Sequence, residues 1–236
     1  MIEIKNITKR YSKLIAVDDV SFSIKDKECF ALLGLNGAGK TTLINILTTG
    51  MLPTSGTATI NNYDLIREKE KIRKIINISP QESAVAKNLT IKENLEFVAS
   101  LYDIQNRKNK IDDIISKFGL KEKESVKCKK LSGGQLRRVS IALAMITEPQ
   151  ILFLDEPTLG LDVKSRKILW DIIKELKNKL TILLTTHYLE EVEFLADRIG
   201  IISRGQMKAI GTRDEIVKLT KTNSLENAFL MLSEEE

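Results

Sequence analysis

The run Gly34-Leu35-Asn36-Gly37-Ala38-Gly39-Lys40-Thr41 constrains this chain most, because it joins the apolar segment Cys29-Phe30-Ala31-Leu32-Leu33 to a helical pattern from about Lys40. A short continuous apolar run reads as a buried strand. Strand, glycine-rich loop and helix in that order make a phosphate-binding loop. Its glycines bring backbone amides onto phosphate oxygens, and the helix N-terminus adds partial positive charge. In such a loop Lys40 neutralises the β- and γ-phosphates, the Thr41 hydroxyl ligates Mg²⁺, and Thr42 adds a phosphate contact.

Ile151-Leu152-Phe153-Leu154 and Thr181-Ile182-Leu183-Leu184-Thr185 are similar buried runs, each followed by a helical stretch, and read as neighbouring strands of a parallel sheet. Alternation in Ile2-Glu3-Ile4 and Val20-Ser21-Phe22-Ser23-Ile24 predicts a half-exposed antiparallel sheet at the start. From about Glu82 to Pro149 the apolar spacing is helical, at Ile91, Leu95, Val98 and Leu101, then at Ile111, Ile114, Ile115 and Phe118. Val139 to Ile146 is apolar nearly all round, so this helix should be buried, and Pro149 prevents its continuation. Arg198 to Gly211 resembles a hairpin turning at Arg204-Gly205, and Ser224 to Leu232 reads as a final short helix. The expected fold is α/β: a phosphate-loop NTPase core with a mostly parallel sheet, an N-terminal antiparallel β subdomain and an inserted helical subdomain. The expected division of this single nucleotide-binding domain is 1–81 with 150–211 for the catalytic core, 82–149 for the helical subdomain and 212–236 for a C-terminal helical tail.

A chain of 236 residues, 42% hydrophobic and 29% charged, suits one large domain. Its longest apolar runs fall far short of the roughly 18 residues of a membrane-spanning helix. The first twenty residues mix charges with short apolar pairs, unlike a secretory signal, so the protein is expected to stay in the cytoplasm. Cys29 and Cys128 follow no metal-ligand spacing and read as plain thiols. The net charge of +5 is modest, and the basic stretch Lys121 to Lys130 contains Glu122 and Glu124 without aromatics. That pattern reads as a solvated loop, and no nucleic-acid partner is expected.

Asp155 and Glu156 end a buried run, where unpaired charges would be costly unless used. Asp155 suits the second shell of a magnesium ion and Glu156 the base for an attacking water. His187 stands at the end of another buried run, where α/β sites assemble, and its imidazole can donate to a γ-phosphate and orient water. Gln81, a neutral amide after Ile75 to Ile78, can ligate magnesium and sense the γ-phosphate; as one exposed glutamine it would say little without its neighbours. Tyr11 reads alone either as a packed strand residue or as an aromatic face for adenine, and the other motifs favour stacking. Trp170 reads as packing within the helical stretch Lys164 to Lys177.

Between the phosphate loop and Asp155-Glu156 stands Leu131-Ser132-Gly133-Gly134-Gln135. With it, nearly the whole chain, from Tyr11 to about Gly205, resembles the ATP-binding cassette ATPases. The resemblance implies ATP and Mg²⁺ as ligands, and implies that Ser132, Gly133, Gly134 and Gln135 face the nucleotide of a second subunit. Ser132 would cap a helix beginning near Gln135, and the glycines would let amides approach the γ-phosphate. Two ATP molecules would lie between subunits, each held by one subunit's Lys40 and the other's Ser132, with Leu159-Gly160-Leu161-Asp162 crossing the seam. The family often has a small residue where this chain has Leu159. The resemblance further implies a groove near Gln81 that receives a helix from a membrane-spanning partner, a second nucleotide-binding subunit that is a copy or a relative, and a cytoplasmic place on the inner face of the cell membrane.

Glu156-Pro157-Thr158-Leu159-Gly160-Leu161-Asp162, Thr185-Thr186-His187-Tyr188-Leu189-Glu190-Glu191 and Ser224-Leu225-Glu226-Asn227-Ala228-Phe229 resemble exporters of drugs, lipids, ions or bacterial peptides within that family. The leading expectation is therefore the ATP-hydrolysing subunit of an exporter. The alternative is a soluble cassette ATPase acting as a mechanical clamp in repair or translation, although such relatives typically add long coiled coils or a second cassette. A non-hydrolysing, ATP-gated interaction module ranks below both, because Glu156 and His187 are in place.

Overall fold

The computed structural model describes residues 2–177 and 179–234. Met1 of the expected core and Glu235 and Glu236 of the expected tail lie outside the described residues. Along the chain the elements are β1 (Ile2–Tyr11), β2 (Leu14–Ile24), β3 (Cys29–Leu33), α1 (Lys40–Leu47), β4 (Ser55–Ile60), β5 (Tyr63–Asp64), α2 (Lys69–Arg73), β6 (Ile76–Ser79), α3 (Ile91–Leu101), α4 (Arg107–Lys117), α5 (Gly133–Met145), β7 (Ile151–Asp155), α6 (Val163–Lys177), β8 (Thr181–Thr186), α7 (Leu189–Leu195), β9 (Arg198–Ser203), β10 (Gln206–Gly211), α8 (Arg213–Thr220) and α9 (Leu225–Glu234).

The buried runs form the middle of one sheet, in the order β10-β9-β3-β8-β7-β6. Its pairs from β9 to β6 are parallel, and only the hairpin of β9 and β10 is antiparallel. Because side chains alternate across a strand, each run serves two cores. Cys29, Ala31, Leu33, Leu152, Leu154, Ile182 and Leu184 face a core shared with Ile91, Leu95, Ile111, Ile115, Phe118 and Val139 of the helical stretch. Phe30, Leu32, Ile151, Phe153 and Leu183 face α1 and the second sheet, whose order is β2-β1-β4-β5. Both faces of the parallel strands are thus covered, as an all-apolar strand requires.

The second sheet is antiparallel, with Ile2 opposite Ile24 and Ile60. The β9–β10 turn falls at Arg204 (φ 49) and Gly205 (φ 80), as a tight hairpin turn demands. Ile216 of α8 and Leu225, Ala228, Phe229 and Leu232 of α9 close the first core beside Ile199 and Ile201 of β9. Cys29 and Cys128 are separate buried thiols, and burial pushes the Cys29 thiol up to about 12, which makes it chemically inert.

Candidate active site

The phosphate loop is pressed between two elements. Gly39 has φ 104, and a Cβ there would stand 2.3 Å from the Ala16 carbonyl oxygen of β2, so any side chain would be excluded. On the other side the Gly205 N–H donates to Ala38 O at 3.0 Å, while Gly205 O accepts from Asp18 N–H at 2.8 Å. The hairpin β9–β10 therefore braces both the loop and β2.

Beside the loop lies a cavity of about 630 Å³ lined by Tyr11, Leu14, Ile15, Ala16, Asn36, Gly37, Ala38, Gly39, Lys40, Thr41, Thr42, Gln81, Glu156, Leu159, Arg204 and Gly205. The fold thus gathers Tyr11, the loop, Gln81 and Glu156 around one space. Gly34 and Leu35 stand just behind it and turn their carbonyls to Lys40 Nζ, at 2.6 and 3.1 Å. Tyr11 is partly exposed at the end of β1, and its hydroxyl donates to Met51 Sδ at 2.8 Å.

Lys40 and Glu156 are both about nineteen-twentieths buried, at 5% and 6% exposure, and pair at 3.0 Å between Nζ and Oε1. Glu156 Oε2 lies 2.8 Å from His187 Nδ1. A carboxylate can only accept, so Nδ1 carries the hydrogen and Nε2 remains for another partner. Although His187 lines the neighbouring surface pocket, it reaches the site through this contact. Thr41 Oγ1 stands 3.4 Å from Asp155 Oδ1, which also accepts from Thr185 Oγ1 at 2.5 Å.

Glu156 follows β7 in a left-handed conformation, φ 47, uncommon for a residue with a side chain. Its N–H donates to both the carbonyl and the hydroxyl oxygen of Thr185, each at 3.1 Å. Thr185 accordingly fixes Asp155 and Glu156 together. A threonine inside an apolar strand signals little by itself, so the sequence does not mark this role of Thr185.

Nor does the sequence mark the role of Arg137 of α5. Its buried guanidinium donates to Pro157 O (2.9 Å), to Asp155 O (2.7 Å), to Pro80 O and to Gln81 O (3.5 Å). Burial pushes it down to about 10, opposed by the charges of Asp155, Glu191 and Glu156, so it stays cationic at neutral pH. One side chain thereby ties α5 to the segments carrying Gln81 and Glu156.

Ser132, Gly133, Gly134 and Gln135 are not among the residues lining the cavity. They open α5, which starts at Gly133, ahead of the expected start near Gln135. The capping box explains the shift: Ser132 Oγ accepts from Gln135 N–H at 3.3 Å, and the Gln135 side-chain oxygen accepts from Ser132 N–H at 3.0 Å. Gly134 packs so closely on α6 that a Cβ would lie 2.5 Å from Ser165 Oγ, whereas Gly133 faces open space.

The family model described as ABC transporter matches residues 17–159. The chain belongs to the ABC transporter family. It is 40% identical to the linearmycin resistance ATP-binding protein LnrL of Bacillus subtilis, over 98% of this chain and 78% of that relative. It spans only 13% of the length of other relatives, phospholipid-transporting ATPases of Rattus norvegicus and Homo sapiens among them. Among solved structures it is similar to the ATP-binding subunit of an ABC transporter, with a TM-score of 0.88 at 31% identity, covering 98% of this chain and 99% of the other. It is also similar to the dimeric ATP-binding cassette MJ0796 in a post-hydrolysis state bound to ADP and Pi, with a TM-score of 0.81 at 28% identity, covering 90% and 98%. This ABC chain is an ATP-binding domain and an ATPase, with the α/β architecture of the ABC cassettes.

Proposed function

We propose that this ABC ATPase is the energy-supplying subunit of a membrane exporter, in which two such subunits close over ATP and move a separate membrane-spanning subunit. The observation that carries the hydrolytic part is the chain of contacts Lys40–Glu156–His187 beside the phosphate loop, its first two members buried. The loop amides and Lys40 would hold the β- and γ-phosphates. Glu156 would take the proton from the attacking water, and His187, held by Glu156 at Nδ1, would turn Nε2 toward the γ-phosphate. Tyr11 would stack on the adenine.

Thr41, Gln81 and Asp155 fit a magnesium ion bound with the nucleotide. The Thr41 and Asp155 oxygens face each other at 3.4 Å, and among the described residues no cluster of three or more His, Cys, Asp or Glu side chains would cage a metal. Such a sparse set suits magnesium, which keeps waters and phosphate oxygens as ligands. When bound it would neutralise charge developing on the phosphates.

Ser132, Gly133, Gly134 and Gln135 would meet the nucleotide of the second subunit, a copy or a relative. The helical stretch 82–149 would transmit closure to the membrane partner, from the inner face of the membrane. Among the described residues no helix is long and apolar enough to cross a membrane. The drug-resistance name of the Bacillus relative supports an exporter over a clamp in repair or translation. Affinity purification of the tagged chain from its native cells in mild detergent tests this reading. Recovery of a multi-span membrane protein without its own phosphate loop is the expected result; reproducible recovery of soluble proteins or nucleic acid alone, with ATPase activity intact, overturns the exporter.

A further inference from the structure

Glu191 lies in the first turn of α7 with no solvent exposure, and the hydrolytic scheme above does not use it. Its Oε1 accepts from Trp170 Nε1 at 3.0 Å. Trp170 is itself fixed on α6, its ring stacked on Phe194 at 5.3 Å and faced by the Arg166 guanidinium at 5.5 Å. Glu191 Oε2 meets no partner at hydrogen-bond geometry, nor does the buried hydroxyl of Thr158. Yet the Thr158 and Thr186 hydroxyls both stand close enough to act on this carboxyl. A hydroxyl carries its own donor, so the Thr158 hydroxyl and the Glu191 carboxyl oxygen are each the partner the other has within reach. Burial raises Glu191 above the ordinary carboxylate value, against the smaller opposing effect of the Thr186, Trp170 and Thr158 donors.

The three partners sit at telling places in the chain. Thr158 follows Glu156 by one intervening residue, Thr186 immediately precedes His187, and Trp170 anchors the group to α6. We propose that Glu191 is a positioning residue for ATP hydrolysis: by joining Thr158, Thr186 and Trp170 it fixes the two segments that carry Glu156 and His187, and so holds their 2.8 Å contact. This rests on the reading of Glu156 as base and His187 as its partner. A small misplacement of either would slow the chemical step while leaving the phosphate loop, and hence ATP binding, as it was.

The test is steady-state ATPase kinetics on the full chain, with ATP affinity and melting temperature measured beside it. Glu191→Ala should lower kcat by about 10- to 100-fold while KM for ATP stays within about twofold. Glu191→Gln, whose amide can accept from Trp170 and donate to Thr158, should restore most of kcat. Thr158→Val, a smaller perturbation of the buried volume, should lower kcat in the same sense at unchanged ATP affinity, so the proposal survives a failure of Glu191→Ala to fold. Wild-type kcat in Glu191→Ala, or equal losses in the Ala and Gln variants, overturns it. So does a Glu191→Ala loss shared by affinity and melting temperature when Thr158→Val behaves as wild type. If the wild-type chain turns over ATP and Glu156→Gln does not slow it, the catalytic reading fails first and the positioning role falls with it.

Discussion

At the scale of single residues, the pair Lys40–Glu156 sets the sharpest expectations, because each side chain is the other's counter-charge in a site 6% exposed on both sides. Glu156→Gln should keep ATP binding and slow turnover by about 10² to 10⁴, the usual contribution of a positioned base. On the proposed reading Lys40→Ala would remove the main side-chain charge from the phosphates, and it leaves Glu156 buried with only His187, so it should lose both ATP affinity and stability. Breaking a buried pair costs about 3–5 kcal/mol, and the double variant Lys40→Ala/Glu156→Gln should regain part of that. Chemical denaturation of the single and double variants decides it; strictly additive losses would show that the pair is not coupled. Glu191 makes a separate, pH-dependent claim. Its folded value is raised mainly by burial, with the Glu156 charge adding to the rise and cationic Arg137 nearby. The folded chain then holds a proton that the unfolded chain releases, so this contribution is fully present below the ordinary value of 4.5 and is lost as pH rises through the raised one. The stability of wild type relative to Glu191→Gln should therefore decline with rising pH across that window and then level off. A difference that grows with pH would reverse the assignment of cause.

Among the elements, α5 couples the most. It opens with the Ser132 capping box, packs Gly134 against Ser165 of α6, and through Arg137 holds carbonyls of Pro80, Asp155 and Pro157. A lysine presents one compact ammonium rather than a planar fork, so Arg137→Lys should fail to span these segments. The expected outcome is a fall in kcat of about tenfold or more with ATP affinity nearly intact, read by turnover and nucleotide binding in parallel; loss of affinity alone would place the role of Arg137 elsewhere. The elements also show what a sequence can tell. The strand runs Cys29–Leu33 and Ile151–Leu154 and the loop between Gly34 and Thr41 were legible because apolar continuity and glycine spacing are local signals. Ser55–Ile60 was not, since β4 is a polar edge-like stretch whose pairing with β1 is decided by the partner strand. Nothing local in the sequence marks Arg137 or Glu191 as buried, and only the fold shows that each is enclosed. The positive φ of Glu156 leaves no trace in composition, because it belongs to a backbone held by Thr185 of the neighbouring strand, a long-range contact.

For the whole molecule, the cavity and the Ser132–Gln135 segment are separate features of one chain, and the proposed site built from both would need two chains. Gly133 makes that requirement testable. A Cβ there would meet nothing within 4 Å, its backbone is not left-handed, and it occupies the first turn of α5, where a carboxylate is favoured by the helix dipole. Gly133→Asp should therefore leave the isolated subunit as stable as before and its ATP affinity unchanged. In the assembly the same carboxylate would face the γ-phosphate of the partner's nucleotide, and a like charge brought into that contact costs several kcal/mol. In a Glu156→Gln background, where slowed hydrolysis would leave the proposed assembly closed for longer, ATP with magnesium should drive dimer formation. Adding Gly133→Asp should weaken that dimer on the order of 10²-fold, as read by sedimentation or size exclusion across a concentration series. Undiminished ATP-driven dimerisation in the double variant would mean that the head of α5 does not meet a second nucleotide. A lowered melting temperature for Gly133→Asp alone would instead mean that the open space before α5 is used within one subunit.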